Sequence, residues 1–223
     1  MGIASDNKNG QTTQRNRISG CYRLIKRGFD ILFAISALLL LLFPMLLIAL
    51  LIRIFDGKPV LYRQTRLGRK GRHITILKFR SMCLNADSMI NDLPSDLLAQ
   101  YRQEFKIDRD PRVTRIGSFL RRTSLDELPQ LWNILRGDLS LVGPRPILPD
   151  EISFYNEADR PLFLSATPGL TGYWQACAGP EDTYTSGKRQ QMELHYAANT
   201  TFLFDLRIFF QTFMTVIRKI WKQ

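Results

Sequence analysis

The chain has 223 residues and a formal net charge of +11, because 31 Lys and Arg residues outnumber 20 Asp and Glu residues. That length is sufficient for one domain with a modest core, and the charge calls for an anionic partner: nucleic acid, phospholipid headgroups or a phosphorylated substrate. Cys21, Cys83 and Cys177 lie far apart without Cys-x-x-Cys spacing, which indicates neither a disulfide framework nor a zinc site and favours a reducing cytosol.

Residues 1–20 are predicted to form a disordered polar tail, because they contain almost no large apolar side chains to bury. The next segment, residues 21–56, contains an uninterrupted apolar stretch from Ile31 to Ile52. A straight helix of that length reaches roughly 33 Å, which is enough to span a bilayer core of about 30 Å. Lys and Arg residues border both ends, so the positive-inside rule gives the segment almost no preferred orientation.

Pro44 lies near the middle of the apolar stretch and predicts a break in its helix. Proline lacks an amide hydrogen and clashes with the carbonyl four residues back, so a bend between Leu40 and Pro44 could return the chain to the face it entered. Prolines also occur in ordinary transmembrane helices. The residues alone leave a re-entrant helix hairpin and a spanning helix as equally good interpretations.

Residues 57–223 are predicted to form one domain of α+β class that begins with a small β-hairpin. Val60–Thr65 and Ile74–Phe79 are rich in β-branched and aromatic residues. Gly68 and Gly71 lie between them and favour a turn with a basic tip.

The rest of this domain is predicted to be mostly helical. Two short helices are expected within residues 86–105, and a helix with a kink or restart at Pro129 within residues 118–136. Residues 141–149 should form an ordered loop or an extended segment, because three prolines fix the backbone there. Residues 201–223 predict an amphipathic helix with aromatic and basic faces, which suits the bilayer interface, although packing on the domain's own core is the alternative.

The adjacent carboxylates Asp126 and Glu127 are the strongest candidates for chemistry. Ser124 and Glu127 have the spacing of a capping box, so both could serve only to start a helix. Asp126 would then lie in the first helical turn, where unpaired amides and the helix dipole favour an ionised carboxylate and a bound phosphate. Arg121, Arg122 or a divalent cation could offset the repulsion between two anions. An ionised carboxylate held against a phosphoryl group is a possible nucleophile.

Basic side chains in three other segments could complete a phosphate site. Lys78 and Arg80 are predicted to lie on one face at the end of the second hairpin strand. Arg112 belongs to a predicted turn, and Arg145 lies between two prolines on a stiffened backbone. The guanidinium fork matches phosphate geometry, but each residue taken singly is more often a solvated surface charge.

These segments resemble the bacterial sugar transferase family, the monotopic phosphoglycosyl transferases that begin lipid-linked glycan assembly. The resemblance extends from about Tyr22 to Ile217. It rests on the following motifs: Lys26-Arg27-Gly28-Phe29-Asp30, Tyr62-Arg63-Gln64-Thr65-Arg66-Leu67-Gly68, Lys78-Phe79-Arg80-Ser81-Met82, Thr123 to Asn133, Leu141-Val142-Gly143-Pro144-Arg145-Pro146 and Pro168-Gly169-Leu170-Thr171-Gly172-Tyr173-Trp174-Gln175. Relatives often have Ser-Pro at the helix break, whereas this chain has Phe43-Pro44.

The resemblance implies transfer of a sugar 1-phosphate from a UDP-sugar to polyprenyl (undecaprenyl) phosphate, with release of UMP. It implies Asp126 as the nucleophile that forms a phosphosugar intermediate, and Glu127 as its partner in positioning or in binding Mg²⁺. Lys78, Arg80, Arg112 and Arg145 are implied as contacts to phosphate or nucleotide. The residues to which the resemblance assigns a role in the site are therefore Lys78, Arg80, Arg112, Asp126, Glu127 and Arg145.

For the whole protein, the resemblance favours residues 21–56 as a re-entrant membrane helix broken at Pro44. It places residues 57–223 as a catalytic domain on the cytosolic face of the bacterial inner membrane. Membrane lipids are expected partners, nucleic acid is not, and a homo-oligomer is compatible with the sequence. The alternatives are a membrane-tethered basic protein that binds anionic lipid or nucleic acid, and a hydrolase that transfers the phosphosugar to water. The sequence does not identify the sugar.

Overall fold

The computed structural model describes residues 20–107 and 109–221. The polar tail predicted for residues 1–20 therefore lies outside the described residues, apart from Gly20. The described part belongs to the α+β class, with one long helix, a β-hairpin, a pair of short parallel strands and several shorter helices. The predicted fold class is confirmed at this level.

Helix α1 extends from Gly20 to Phe55 and contains the whole apolar stretch. It remains helical through Pro44, and the bend predicted there stays a prediction. Within the described ranges it is the one helix that is long and apolar enough to cross a membrane. Only 11% of its most apolar window is buried, whereas the core helix of a soluble protein would be mostly buried.

Both ends of α1 pack on the domain that follows it. Towards the N-terminal end, Ala34 is fully buried in a core cluster that also contains Ile76 and Ile208. Towards the C-terminal end, Ile52 is fully buried in a second cluster with Phe79. The large side chains between these two attachment regions are exposed, namely Leu39, Leu40, Leu42, Phe43, Leu46 and Leu47.

The predicted β-hairpin is confirmed. Strand β1 (Leu61–Leu67) pairs antiparallel with strand β2 (His73–Phe79), and the register places Tyr62 opposite Lys78 and Arg66 opposite Ile74. Opposite residues of an antiparallel pair share a face, so Arg66 and Lys78 lie on the same side of the hairpin.

The helix predicted within residues 118–136 restarts after Pro129, as expected, but its first part ends earlier, before Ser124. Helix α3 (Arg115–Thr123) ends at Ser124, whose φ of 58° is left-handed, and a single 3-10 turn (Leu125–Glu127) follows. Helix α4 (Gln130–Arg136) begins after Pro129. Because Ser124 ends α3 and its side chain makes no capping hydrogen bond, the capping-box expectation is wrong.

The remaining helices of the described residues lie before α3 and after α4 in the chain. Two short helical segments were predicted within residues 86–105, and the structure has a 3-10 helix (Ser88–Asp92) and helix α2 (Ser95–Glu104) there. The later helices are α5 (Arg160–Phe163), α6 (Tyr173–Cys177), α7 (Lys188–Ala198) and α8 (Phe202–Trp221).

A short parallel pair positions the proline-rich segment. Strand β3 (Ser140–Val142) pairs with strand β4 (Gly169–Thr171), so the predicted segment is extended at its start, and the residues that follow form a loop. Gly143 lies so close to the neighbouring strand that an added Cβ would come within 2.3 Å of the Thr167 carbonyl oxygen. Any larger residue there would push the two strands apart.

Helix α8 has both a packed face and an exposed apolar face. Asp205 and Ile208 are buried against the domain, as the alternative interpretation required. Leu203, Phe210 and Phe213 are each more than half exposed. The predicted amphipathic helix is therefore present, and its placement at a membrane surface stays a prediction.

Candidate active site

An open cleft encloses about 290 Å³ of space, solvent included, between the hairpin face, the turn before α4 and the parallel strand pair. Its charged lining consists of Arg66, Lys78, Glu127 and Arg145. Three cations therefore surround one carboxylate, which is the electrostatic pattern of a site for an anion. The remaining lining residues are Ile76, Gln130, Pro146, Gly169, Leu170 and Gln175.

Lys78 and Glu127 form an ion pair across the cleft. The Lys78 Nζ lies 2.9 Å from Glu127 Oε1, and both side chains are about three-quarters buried. Lys78 reaches this position because it lies near the end of β2, on the face shared with Arg66. The pair joins the hairpin to the turn that carries both candidate carboxylates.

Asp126 lies next to Glu127 in the 3-10 turn and is 7% exposed. It is not one of the lining residues of the cleft. The pKa of Asp126 is raised to about 6, mainly by burial and also by the neighbouring charge of Glu127, although Lys78 and Arg121 act in the opposite direction. The carboxylate is therefore mostly ionised at neutral pH, yet more basic than an ordinary aspartate.

The predicted helical environment of Asp126 is not what holds this charge. The residue lies in one turn of three residues rather than at the start of α4, which begins four positions later at Gln130. A single turn has little macrodipole, so the opposing charges come from Lys78 and Arg121.

The two carboxylates are a plausible donor set for Mg²⁺ only together with a substrate phosphate. In the described ranges no group of three or more His, Cys, Asp and Glu side chains could hold a metal ion. Mg²⁺ usually binds one or two carboxylates and completes its shell with phosphate oxygens and water. The adjacent carboxylates of Asp126 and Glu127 fit that requirement.

Arg145 presents a free guanidinium to the cleft. Within residues 20–107 and 109–221, the structure gives this group no hydrogen bond or ion pair. Its backbone is fixed between Pro144 and Pro146, as the sequence predicted. The side chain is therefore available to bind an anion without breaking an internal contact.

The structure places Arg112 outside the cleft lining. Its Nε and Nη2 lie 2.8 and 2.7 Å from the two carboxylate oxygens of Asp110, and its Nη1 lies 2.9 Å from the Ala86 carbonyl oxygen. The Arg112 and Asp110 side chains are 5% and 4% exposed. Arg112 therefore has a structural role, joining the turn at Asp110 to the segment before α2.

Arg80 is also outside the cleft lining and lies at the C-terminal end of α1. Its Nη2 donates to the carbonyl oxygens of Asp56 and Gly57, although the sequence predicted that it would share a face with Lys78. The residue is 5% exposed, and its Nε and Nη1 are buried without a partner among the described residues. Of the four predicted basic ligands, the structure brings together Lys78 and Arg145.

Three polar lining residues were missed as site candidates: Arg66, Gln130 and Gln175. The alternation of the hairpin strands could have identified Arg66, since it lies on the face of Lys78. Gln130 and Gln175 belong to motifs that carry the resemblance, but only the fold brings them to the same cleft.

The fold and the site thus define a protein with one helix that is long and apolar enough to cross a membrane, among the described residues, and with a cationic cleft beside a carboxylate pair. Comparison with known families gives this class a name. The family model described as bacterial sugar transferase matches residues 21–219, and the chain belongs to that family.

Several curated relatives are similar over most of this chain. The undecaprenyl-phosphate galactose phosphotransferase of Salmonella typhimurium is 39% identical over 210 residues, which cover 92% of this chain and 43% of that protein. The exopolysaccharide production protein ExoY of Sinorhizobium fredii is 42% identical over 86% of this chain and 84% of its own length. The UDP-glucose:undecaprenyl-phosphate glucose-1-phosphate transferase of Escherichia coli is 41% identical over 87% of this chain and 40% of its own.

The chain thus spans less than half the length of two of these relatives and most of the third. Each match includes most of the described domain. The family and these names give no support to the alternative of a basic binding protein for lipid or nucleic acid.

Proposed function

We propose that the protein transfers a sugar 1-phosphate from a UDP-sugar to polyprenyl phosphate through a covalent intermediate on Asp126. The observation that carries this proposal is the cleft in which Arg66, Lys78 and Arg145 surround Glu127, next to Asp126. The names of two relatives, an undecaprenyl-phosphate galactose phosphotransferase and a UDP-glucose:undecaprenyl-phosphate glucose-1-phosphate transferase, agree with such a site.

In the first half-reaction, the diphosphate of the UDP-sugar binds between the cations of the cleft. The free guanidinium of Arg145 and the side chain of Arg66 are suited to phosphate oxygens. A carboxylate oxygen of Asp126 bonds to the phosphorus that carries the sugar. The bond from that phosphorus to the bridging oxygen breaks, and UMP leaves with that oxygen and its electron pair.

In the second half-reaction, an oxygen of polyprenyl phosphate attacks the same phosphorus. The bond to Asp126 breaks, the carboxylate is restored, and the product is a polyprenyl diphosphate sugar. A Mg²⁺ ion held by Asp126 and Glu127 would neutralise part of the diphosphate charge when bound. The raised pKa of Asp126 supports its role, because a more basic carboxylate that is still ionised is the better nucleophile.

The attachment of α1 supports a re-entrant topology. Before the apolar stretch, Lys26 Nζ lies 2.8 Å from the Val142 carbonyl oxygen. After it, the Thr114 hydroxyl lies 2.8 Å from the Asp56 carboxylate. A domain that holds both ends of a segment keeps both ends on one side of the bilayer. Because the whole chain has a net charge of +11, we place the domain on the anionic cytosolic face of the bacterial inner membrane.

The activity is tested with the purified full chain, a panel of UDP-sugars and polyprenyl phosphate. The panel is needed because relatives of similar identity are named for galactose and for glucose. UMP release that requires the lipid for turnover is the expected result. Release that continues without the lipid would indicate the hydrolase, and no release with any sugar would leave a binding protein.

The nucleophile is tested separately, because Glu127 lines the cleft and Asp126 does not. Asp126→Asn keeps the shape of the side chain and should abolish UMP release even without lipid, whereas Glu127→Gln should retain a trace. Wild type incubated with the UDP-sugar alone should carry a phosphosugar mass on the peptide containing Asp126. An adduct mapped to Glu127 would assign the nucleophile to that residue instead.

The native cysteines allow a test of the topology. Cys21 precedes the apolar stretch and Cys177 lies in the domain, and both are exposed. Single-thiol variants, made with Ser at the other two positions, are treated with a membrane-impermeant maleimide. Both thiols should react only after the cells are lysed. A Cys21 thiol that reacts in intact cells while Cys177 does not would show a spanning helix.

A further inference from the structure

Glu193 is a buried carboxylate beneath the cleft that the proposed reaction does not use. It lies on α7 and is 1% exposed. Both of its carboxylate oxygens face one donor, the backbone N–H of Arg145, at 3.2 and 3.3 Å. Among the described residues no other hydrogen bond reaches this carboxylate. Burying an ionised carboxylate that accepts from only one backbone donor costs free energy. The position of Glu193 therefore calls for an explanation.

The sequence around Arg145 explains why this one hydrogen bond matters. Pro144 and Pro146 have no N–H, so the amide of Arg145 is the only backbone donor in the triplet. The Pro144 carbonyl oxygen accepts from Gly169 N at 2.9 Å, and the Pro146 carbonyl oxygen accepts from Arg66 Nη1 at 3.2 Å. The triplet is therefore held at three points, of which Glu193 supplies the central one.

The positive charges around Glu193 offset part of the cost of its burial, and among the described residues only the backbone N–H of Arg145 is hydrogen-bonded to its oxygens. Arg189 lies one turn earlier on α7, stacked 3.7 Å from the ring centroid of Tyr184. The positive charges of Arg189 and Arg145 stabilise the ionised carboxylate, whereas burial and the charge of Glu151 oppose ionisation. Glu151 holds the other cleft arginine through its side chain, since Glu151 Oε1 lies 2.9 Å from Arg66 Nη1.

We propose that Glu193 is a positioning residue that fixes the backbone of Arg145, so that the free guanidinium points to the phosphate of the substrate. This inference rests on the proposed function, and it adds a residue that neither touches substrate nor lines the cleft. It predicts that changes at Glu193 act through Arg145.

A double-mutant cycle tests this coupling in the full chain, with kcat/KM for the UDP-sugar as the readout. Glu193→Leu removes both acceptors and should lower kcat/KM by roughly tenfold. In an Arg145→Ala background the same change should have little further effect. Asp205→Leu is the matched control: Asp205 is also buried and bonded, to Tyr22, Lys26 and Tyr196, but does not line the cleft. Its effect, whatever its size, should be the same in both backgrounds.

Two conservative variants keep the test decisive if Glu193→Leu does not fold. Glu193→Gln retains an acceptor at the same reach and should keep kcat/KM within about threefold of wild type. Glu193→Asp retains the charge but withdraws it by one methylene, and should show the loss. A loss for Gln with none for Asp would overturn the proposal, as would a Glu193 effect that persists undiminished without the Arg145 side chain. If wild type released no UMP, the proposed reaction itself would fail, and that result is distinct from both.

Discussion

The two arginines Arg145 and Arg112 allow a sharp test of the site, because the sequence predicted the same role for both and the structure separates them. The Arg145 guanidinium has no internal partner in the described part of the chain. The Arg112 guanidinium makes two hydrogen bonds to Asp110 and one to the Ala86 carbonyl oxygen. Replacing each with Ala should therefore affect different quantities.

For Arg145→Ala, we expect a loss of substrate affinity with almost no loss of stability. A charge-assisted hydrogen bond to phosphate contributes about 1.5 to 3 kcal/mol, which corresponds to roughly ten- to a hundredfold in affinity. No internal hydrogen bond of the described residues is lost, and the attraction of Arg145 to Glu193 is opposed by its repulsion of Arg66 and Arg189, so the free energy of unfolding should change by less than about 0.5 kcal/mol. Arg145→Lys keeps the charge without the fork and should give an intermediate affinity.

For Arg112→Ala, we expect the reverse. The Arg112 and Asp110 side chains are 5% and 4% exposed, so the change leaves a buried carboxylate without its cation. Breaking such a pair typically costs about 3 to 5 kcal/mol, or a fall in Tm of about 6 to 20 °C for a domain of this size. The protein that remains folded should bind substrate with nearly unchanged affinity.

The assay measures Tm by thermal unfolding in detergent and KM from UMP release, on the same preparations. The reasoning would be refuted if Arg112→Ala raised KM at least as much as Arg145→Ala while leaving Tm unchanged. That outcome would mean that the Asp110 contact is released when substrate binds and that Arg112 then reaches the phosphate.

Two further predictions concern buried groups. Asn133→Ala should lower the free energy of unfolding by about 2 to 5 kcal/mol. The reason is that the fully buried side-chain amide accepts from Leu77 N at 3.0 Å and donates to the Thr75 carbonyl oxygen at 2.7 Å. A loss below about 1 kcal/mol, measured by urea unfolding, would contradict that account. Burial raises the pKa of Glu193 from 4.5 to about 7, so between these pH values the folded protein holds a proton that the unfolded chain releases. The stability that the folded protein gains from binding this proton is lost as pH rises from about 4.5 to 7. Glu193→Gln should therefore gain in Tm relative to wild type as the pH is raised from 5 to 8, and a difference independent of pH would refute the assignment.

Much of the fold follows from local patterns in the sequence. The hairpin was predictable because two β-prone runs flank a glycine-containing turn, and β1 and β2 lie where those runs are. The apolar helix was predictable from length and composition, and its ends lie within one residue of the predicted segment 21–56. The restart at Pro129 was predictable from the proline, whereas the end of α3 at Ser124 was not, since no local signal required Ser124 to adopt a left-handed conformation.

The site was only partly predictable, because a cation in sequence does not reveal which anion it meets. Arg80 is committed to carbonyl groups at the end of α1, and no spacing rule connects it to them. Arg112 did have a signal: Asp110 lies two residues earlier, and the turn between them brings the two side chains together. Arg66 was overlooked although strand alternation places it beside Lys78.

The contrast among these arginines gives a general criterion for this cleft. The guanidinium groups of Arg112 and Arg80 donate hydrogen bonds to other residues of the protein, and both residues lie outside the cleft lining. Arg145 lies in it, and the anchoring contact is made by its backbone, which leaves all guanidinium donors for the ligand. Arg66 is intermediate: it lines the cleft, but its three guanidinium nitrogens are already bonded, Nε and Nη2 to Gln64 Oε1 and Nη1 to Glu151 Oε1 and the Pro146 carbonyl oxygen. Substrate affinity should therefore depend most on Arg145, less on Arg66 and least on Arg112. This order follows from whether each guanidinium lines the cleft and whether its donors are still available, rather than from its charge.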